Sequence, residues 1–376
     1  MRASGLDISA EHLVSALLDA GHEVTVVAGT RAPQTESLHH PALTIHRLTL
    51  GPDNWIGYAL RAARVAQRLN NAHPFDVTHF WDVHFAYAYR TPYVASLHQS
   101  FRQRWQALGL QERWSPALAS RWTYYTLARV VAEKPSLRRA GGLLAVSAAA
   151  RDEFVHNYGI MPERIALARH SIDTKFFTRR PNTGQIRAQY RLDAEEPVIL
   201  FAGFVSPRKG LPYLAAAMSR IYPHPKLLIA GRWSVSDRSR FVAMMGEQAG
   251  RLIETGFVPD NQMPDLYSIA DVYVSPSLLE GFGLPLAEAL ACETPVVAAN
   301  VGSVAEVVGP GGILVPPKDA GALADAVSIL LQNSELRRKL GILGRRHIEQ
   351  EFSPGRMYAD TVAGYRRFSA GTCPRD

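Results

Sequence analysis

Cysteine is nearly absent: the 376 residues carry two, Cys292 and Cys373. Two thiols cannot build a disulfide framework, which excludes a stapled secreted scaffold and fits a reducing compartment. Long apolar runs are missing too. None reaches the ~18 residues that a membrane-spanning helix needs, and no charged-then-apolar leader opens the sequence. A cytoplasmic protein that does not span a membrane is therefore expected. Also lacking are a G-x-G-x-x-G fingerprint and a P-loop, which weakens dehydrogenase and ATPase readings. No zinc-finger spacing, RNP-like aromatic motif or low-complexity basic arm speaks for nucleic acid as a partner.

What is there belongs to an ordinary globular protein. Apolar residues make up 47% and charged residues 20%, with a net charge of +7. The length suits two domains at roughly 100–200 residues each. Short apolar runs alternate with helix-like segments, the pattern of parallel sheets covered by helices. In the first half, a helix at about Ser9–Ala20 precedes strands at Glu23–Ala28, Asp76–Phe80, Pro92–Leu97 and Gly142–Ser147. The rhythm restarts at Val198–Ala202, with a helix from Leu211, and continues with strands at Leu227–Ala230, Val272–Val274 and Pro295–Ala298. Helices are expected over Ala320–Gln332 and Ser334–Gln350. The polar stretch near 175–195 marks a boundary. The expectation is an α/β protein of two Rossmann-like domains facing across a cleft, 1–178 with a returning segment 354–376, and 190–353.

The segment from Ser275 to Val308 carries the most chemistry. It leaves a strand, turns through Gly281-Phe282-Gly283, and enters a helix with Pro285 near its start. A glycine loop opening a helix presents N–H groups and a positive dipole end to an anion such as a diphosphate. Glu280 and Glu288 flank the loop; Glu288 is expected on the first helical turn, placed to accept from a ribose diol, and Glu280 to hold sugar hydroxyls. Either glutamate alone also suits a helix N-terminus for electrostatic reasons. Upstream, Gly203-Phe204-Val205-Ser206-Pro207-Arg208-Lys209-Gly210 follows a strand end, where adjacent cations would offset charge on a departing diphosphate. The same two cations also fit an exposed, solvated turn.

The Glu280–Glu288 spacing resembles the E-x7-E motif of the GT4 family of glycosyltransferases, and Asp271–Ser277, Gly302–Glu306 and Gly312–Pro317 are similar to that family's flanking segments. The resemblance covers nearly the whole sequence. It implies the GT-B fold, a nucleotide diphosphate sugar (a UDP- or GDP-sugar) as donor, a hydroxyl acceptor (a glycan, lipid-linked sugar or small molecule), retention of anomeric configuration, and no cofactor or catalytic metal. No Asp-x-Asp pair of the GT-A kind is present. By the same resemblance His98, Arg208, Lys209 and Glu280 are the catalytic candidates. Gly5, Gly203, Gly281, Phe282, Gly283, Leu284, Glu288 and Val258 are the donor-binding candidates. Two departures stand out: Phe204 occupies the place of the family's arginine, and His170-Ser171 that of an Asn-Gly pair, while Asp173 is kept. The spacing of His79, Asp82 and His84 suggests a metal only weakly; a loop is the plainer reading.

Two regions complicate this picture. Met1–Leu6 reads as the glycine-bearing loop already, so the first strand of the sheet is apparently missing, which would leave backbone groups unpaired on both sides of the gap. The second region, 101–139, interleaves Arg102, Arg104, Arg113, Arg121, Arg129, Lys134, Arg138 and Arg139 with Trp105, Trp114, Trp122, Tyr124 and Tyr125, against only Glu112 and Glu133. Such a pattern suits peripheral contact with an anionic membrane, on its inner face; it equally suits a helical pair with core aromatics, or an acceptor pocket. Two other functions stay open: another GT-B enzyme such as a sugar-nucleotide epimerase or a phosphorylase, and a non-catalytic nucleotide-sugar-binding protein.

Overall fold

The computed structural model describes residues 5–30, 40–49, 55–108, 116–181, 183–204 and 206–369. Met1–Ser4, Glu112, Arg113, Trp114, Asn182, Val205 and Cys373 lie outside them. The chain divides into two compact units. One is Ile172–Ser353; the other is Ala3–Ser171 together with Pro354–Asp376. Both are α/β, with wholly parallel strand pairing.

Strands are β1 Val24–Thr30, β2 Leu43–Thr49, β3 His79–Phe80, β4 Val94–Leu97, β5 Gly142–Ala145 and β6 Ile165–Leu167 in the first unit. In the second they are β7 Val198–Ala202, β8 Lys226–Ala230, β9 Leu252–Gly256, β10 Val272–Ser275, β11 Val296–Ala299 and β12 Gly312–Val315. The second unit holds one six-stranded sheet in the order β12-β11-β10-β7-β8-β9. Apart from the edge strand β9, its strands are short apolar runs because both faces are covered. Alternate residues of β7 serve opposite cores: Val198, Leu200 and Ala202 face one cluster, Ile199 and Phe201 the other. Chain order reverses between β7 and β10, and ligands of such sheets bind beyond the strand carboxyl ends at that switch point.

The first unit is built differently. Its strands form a two-stranded sheet, β1-β2, and a separate four-stranded sheet, β3-β4-β5-β6. β4 and β5 are buried throughout, whereas β2 alternates between half-buried and exposed. Pairing in β3 is limited to His79 and Phe80, so the expected strand from Asp76 is cut short. The helix Pro354–Ser369 packs on this unit, where Phe368 joins Val94 and Leu144 in a small core and Tyr365 packs against it.

Three placements differ from expectation. Gly5 opens the helix Gly5–Asp19 and is not part of a loop before it. Residues 172–178 go with the second unit, not the first: Ile172 and Phe177 pack into its core, and the Ile172 N–H donates to Phe352 O at 2.8 Å. Glu288 lies on the second turn of the helix Leu284–Ala291, not the first.

Candidate active site

Two loops meet at the switch point of the second unit. The loop after β7 begins at Gly203 and ends at Gly210, which has a φ of 65°. A Cβ at Gly210 would lie 1.9 Å from the Pro276 carbonyl oxygen, so only glycine allows this loop to press on the one after β10. From the other side, a Cβ at Gly302 (φ 54°) would lie 2.2 Å from Glu280 O. The backbone of 276–280 is thus gripped between two glycines. It is also tied to the first loop by Leu278 N–H donating to Arg208 O at 2.7 Å.

Inside this grip Glu280 is 7% exposed and Lys209 8%. The Lys209 ammonium donates to Glu280 Oε1, and the Ser277 hydroxyl donates to the same oxygen at 2.9 Å. Arg208 Nη1 stands 3.7 Å from the other oxygen and 3.3 Å from Leu279 O. Burial by itself would raise the Glu280 pKa; Lys209, then Arg208, and the hydrogen bonds from Lys209 and Ser277 outweigh it and hold it below the ordinary glutamate value. Sequence order separates these groups widely, and the sheet brings them together.

The helix Leu284–Ala291 starts from Gly283, whose φ of 93° sets the entry angle. Gly281, Phe282 and Gly283 alone separate Glu280 from the positive end of this helix. Phe282 is buried and packs edge-on against Phe352, so only its backbone is available to a ligand. Val258 sits in the apolar core, buried among the residues under β7 and β8. Glu288, 2% exposed, receives the Tyr267 hydroxyl on Oε2 at 2.6 Å. Sequence reasoning misses both Tyr267 and Ser277, because no motif singles out a tyrosine in the short buried helix Met263–Ile269. Phe204 is 71% exposed. Arg208, offered by the sequence as a stand-in for the missing cation, turns toward Glu280.

In the first unit, His98 is buried with both ring nitrogens engaged. Nε2 donates to Trp81 O at 2.6 Å, which leaves Nδ1 as the acceptor for His170 Nε2–H at 3.3 Å. The two rings stack 5.1 Å apart. Burial lowers the His98 pKa most, with Asp82 and the Trp81 bond opposing; His170 is lowered well below its usual value by burial, then His98 and His12. With both ring nitrogens engaged, His98 could serve a sugar hydroxyl only on release of His170. His79 is structural: it bonds Tyr365 Oη and Ser96 Oγ, both at 2.8 Å, and burial, then His98, lower its pKa to about 3. His84 pairs with Asp82 at 2.8 Å. Burial opposes ionisation of Asp82, but its pairing with His84, helped by His98 and Arg104, brings its pKa down to about 2. Among the described residues no group of three or more His, Cys, Asp or Glu could hold a metal ion.

Comparison with known proteins bears on family and fold. Residues 182–347 match the family model "Glycosyl transferases group 1" and residues 3–176 match "Glycosyltransferase Family 4". An α-maltose-1-phosphate synthase of Mycolicibacterium smegmatis is 31% identical over 63% of this chain, and the match spans 66% of that relative's length, somewhat under two thirds. Among solved structures, a sucrose-phosphate synthase from Thermosynechococcus elongatus superposes with a TM-score of 0.81 at 25% identity, over 98% of this chain and 95% of that one. Anabaena HepE, solved with UDP and glucose, gives a TM-score of 0.71 at 19% identity over 96% of each chain, a likeness of fold.

Proposed function

The chain belongs to the family 4, group 1 glycosyltransferases with the GT-B fold, and from that premise we propose that it transfers a hexosyl group from a UDP- or GDP-sugar to a hydroxyl acceptor with retention of configuration. The observation that carries this reading is the buried Lys209–Glu280 pair beyond β7 and β10, with the partly exposed Arg208 beside it, at the start of the helix Leu284–Ala291. A diphosphate entering there meets two cations and a helix dipole. Lys209 has three donors, so it can keep Glu280 and still take a phosphate oxygen. Glu288, steadied by Tyr267, receives the ribose hydroxyls, and the backbone from Gly281 to Leu284, with Gly203, lines the phosphate and sugar.

In the transfer, the bond from the anomeric carbon to the diphosphate breaks and a bond to the acceptor oxygen forms on the same face. The acceptor proton leaves with the departing phosphate oxygen, whose charge Lys209 and Arg208 stabilise. No cofactor or metal enters this scheme. His98 contributes as a neutral ring. The enzyme is cytoplasmic and meets the inner face of an anionic membrane peripherally through 101–139. Among the described residues, no helix is long and apolar enough to cross a membrane.

A thermal-shift screen of UDP-, GDP-, ADP- and dTDP-sugars tests the donor. At about 100 times its dissociation constant a true donor adds about 2.7 kcal/mol of stability. Slow donor hydrolysis that disappears in Glu280→Ala, and an NMR spectrum showing the product with the donor's anomeric configuration, would complete the case. A shift without any turnover would favour a binding protein instead.

A further inference from the structure

His98 is held firmly on one side and loosely on the other. On the firm side stands Trp81: its carbonyl can only accept, so His98 Nε2 carries the proton and Nδ1 is left as the acceptor. On the loose side His170 Nε2–H fills that acceptor at 3.3 Å, the long end for such a bond. The two rings lie within 17° of parallel, and Trp81 packs against both, 5.7 and 5.8 Å away. Both histidines are buried, so without His170 the Nδ1 lone pair would be left unmet.

The backbone that carries His170 is pinned on either side of it. Ala168 N–H donates to Ala145 O at 2.9 Å, and Ser171 Oγ lies 3.3 Å from His12 Nδ1. One turn before His12, on the same face of the helix Gly5–Asp19, stands Ser9. Ser9 is fully buried, and its Oγ finds no hydrogen-bond partner among the described residues. A buried hydroxyl left alone is rare and calls for a partner that another state of the site supplies. The His170 ring thus has one acceptor in use and, on the far side of His12, one idle.

We propose that His170 is a positioning residue that stands in for substrate: it donates to His98 Nδ1 while the site is empty, and turns to Ser9 Oγ when a sugar hydroxyl takes that nitrogen. This rests on the glycosyl transfer proposed above, in which His98 meets a sugar hydroxyl. The exchange replaces one hydrogen bond by another, and His98 keeps its orientation throughout. It also makes this corner respond to the sugar and not to the nucleotide: bare UDP or GDP leaves His170 where it is.

The test is NMR of the full chain with isotope-labelled histidine, empty, with UDP or GDP, and with the sugar nucleotide that gives the largest thermal shift. The His170 Nε2–H resonance should move only with the sugar-bearing ligand. Dissociation constants give a second readout. His170→Phe keeps a ring on His98 but cannot donate, so it frees Nδ1 in advance; it should tighten the sugar nucleotide about tenfold relative to the bare nucleotide. His170→Asn keeps a donor and should restore the wild-type ratio. Ser9→Ala removes the second acceptor and should weaken the sugar nucleotide several-fold with the bare nucleotide unchanged. If the sugar nucleotide binds and is turned over while the His170 resonance stays put, or if His170→Phe leaves the ratio unchanged, this proposal alone falls. A wild type that binds no sugar nucleotide takes the transfer reading down with it.

Discussion

The two units start from the same strand–helix alternation and end with different sheets. In the second, β7 and β10 lie side by side, and six strands run without a break. In the first, β1 and β2 stand apart from β3 to β6. An unbroken sheet gives the loops after β7 and β10 a common rigid floor, which is where Lys209 and Glu280 meet. The first unit has no such seam between β1 and β3, and its polar cluster gathers around β4 instead, at His98. The same contrast shows in one buried glutamate from each unit. Glu280 is held by two cations and ionises easily. Glu133 receives neutral donors, and burial pushes its pKa from 4.5 up to about 7, with the Tyr158 and Phe101 bonds opposing.

Hydrogen exchange offers the broadest way to break this comparison. Amides of β1 and β2 should open at a cost several kcal/mol below those of β7, β8 and β10, because a two-stranded ribbon is marginal alone. Equal protection would show that the separate ribbon is as firmly held as the six-stranded sheet.

Removing one member of the Glu280 pair is next in size. Lys209→Met should cost about 3–5 kcal/mol in a urea titration, since it strands a buried carboxylate. Lys209→Met/Glu280→Leu should recover much of that loss while leaving donor turnover abolished. If the double variant is no more stable than the single one, the pair is not the principal neutraliser of Glu280.

The two glutamates should then respond to pH with opposite signs. Glu133 has a raised pKa, so its contribution is fully present below 4.5 and lost as pH rises through about 7. Over that window wild type should lose on the order of 3 kcal/mol relative to Glu133→Gln, at about 1.4 kcal/mol per unit. Glu280 has a lowered pKa, so its contribution is present above 4.5 and lost as pH falls below it. Stability curves of the two glutamine variants with the same slope against wild type would erase the distinction.

Smallest is the effect of Tyr267→Phe, about 1.5–3 kcal/mol for a hydrogen bond to a charged group. It should raise KM for the donor with little change in kcat, and reduce the preference for UDP over 2′-deoxy-UDP. An unchanged preference would remove Tyr267 from the ribose side.

Much of the second unit could be read from its sequence because buried parallel strands are plain apolar runs such as Val198–Ala202 and Val272–Val274. β2, with His46 and Arg47 inside it, and β9, bearing Glu254, offer no such run and escape notice; β6 is apolar but only three residues long, flanked by Arg164 and Arg169, and escapes it too. The two-unit fold was legible and is matched by solved structures over almost the full length. In the site, residue types were legible and partnerships were not. Glu280 and Lys209 each lie in a recognisable segment, but their contact depends on strand order. The bond of Tyr267 to Glu288 links a helix to a helix and leaves no local pattern. Glu133 did carry a signal, being a lone acid in a basic and aromatic stretch, but its inward aim depends on a π turn over Arg129–Glu133 that no spacing announces.

The glycine grip on residues 276–280 also limits how the donor preference can be re-engineered. With Gly210 on one side and Gly302 on the other, the main chain there has one route, and any side chain at either glycine would collide with it. Libraries aimed at those two positions should return mostly inactive protein. A change at exposed Phe204, such as Phe204→Arg, leaves the route untouched and is the sensible place to begin.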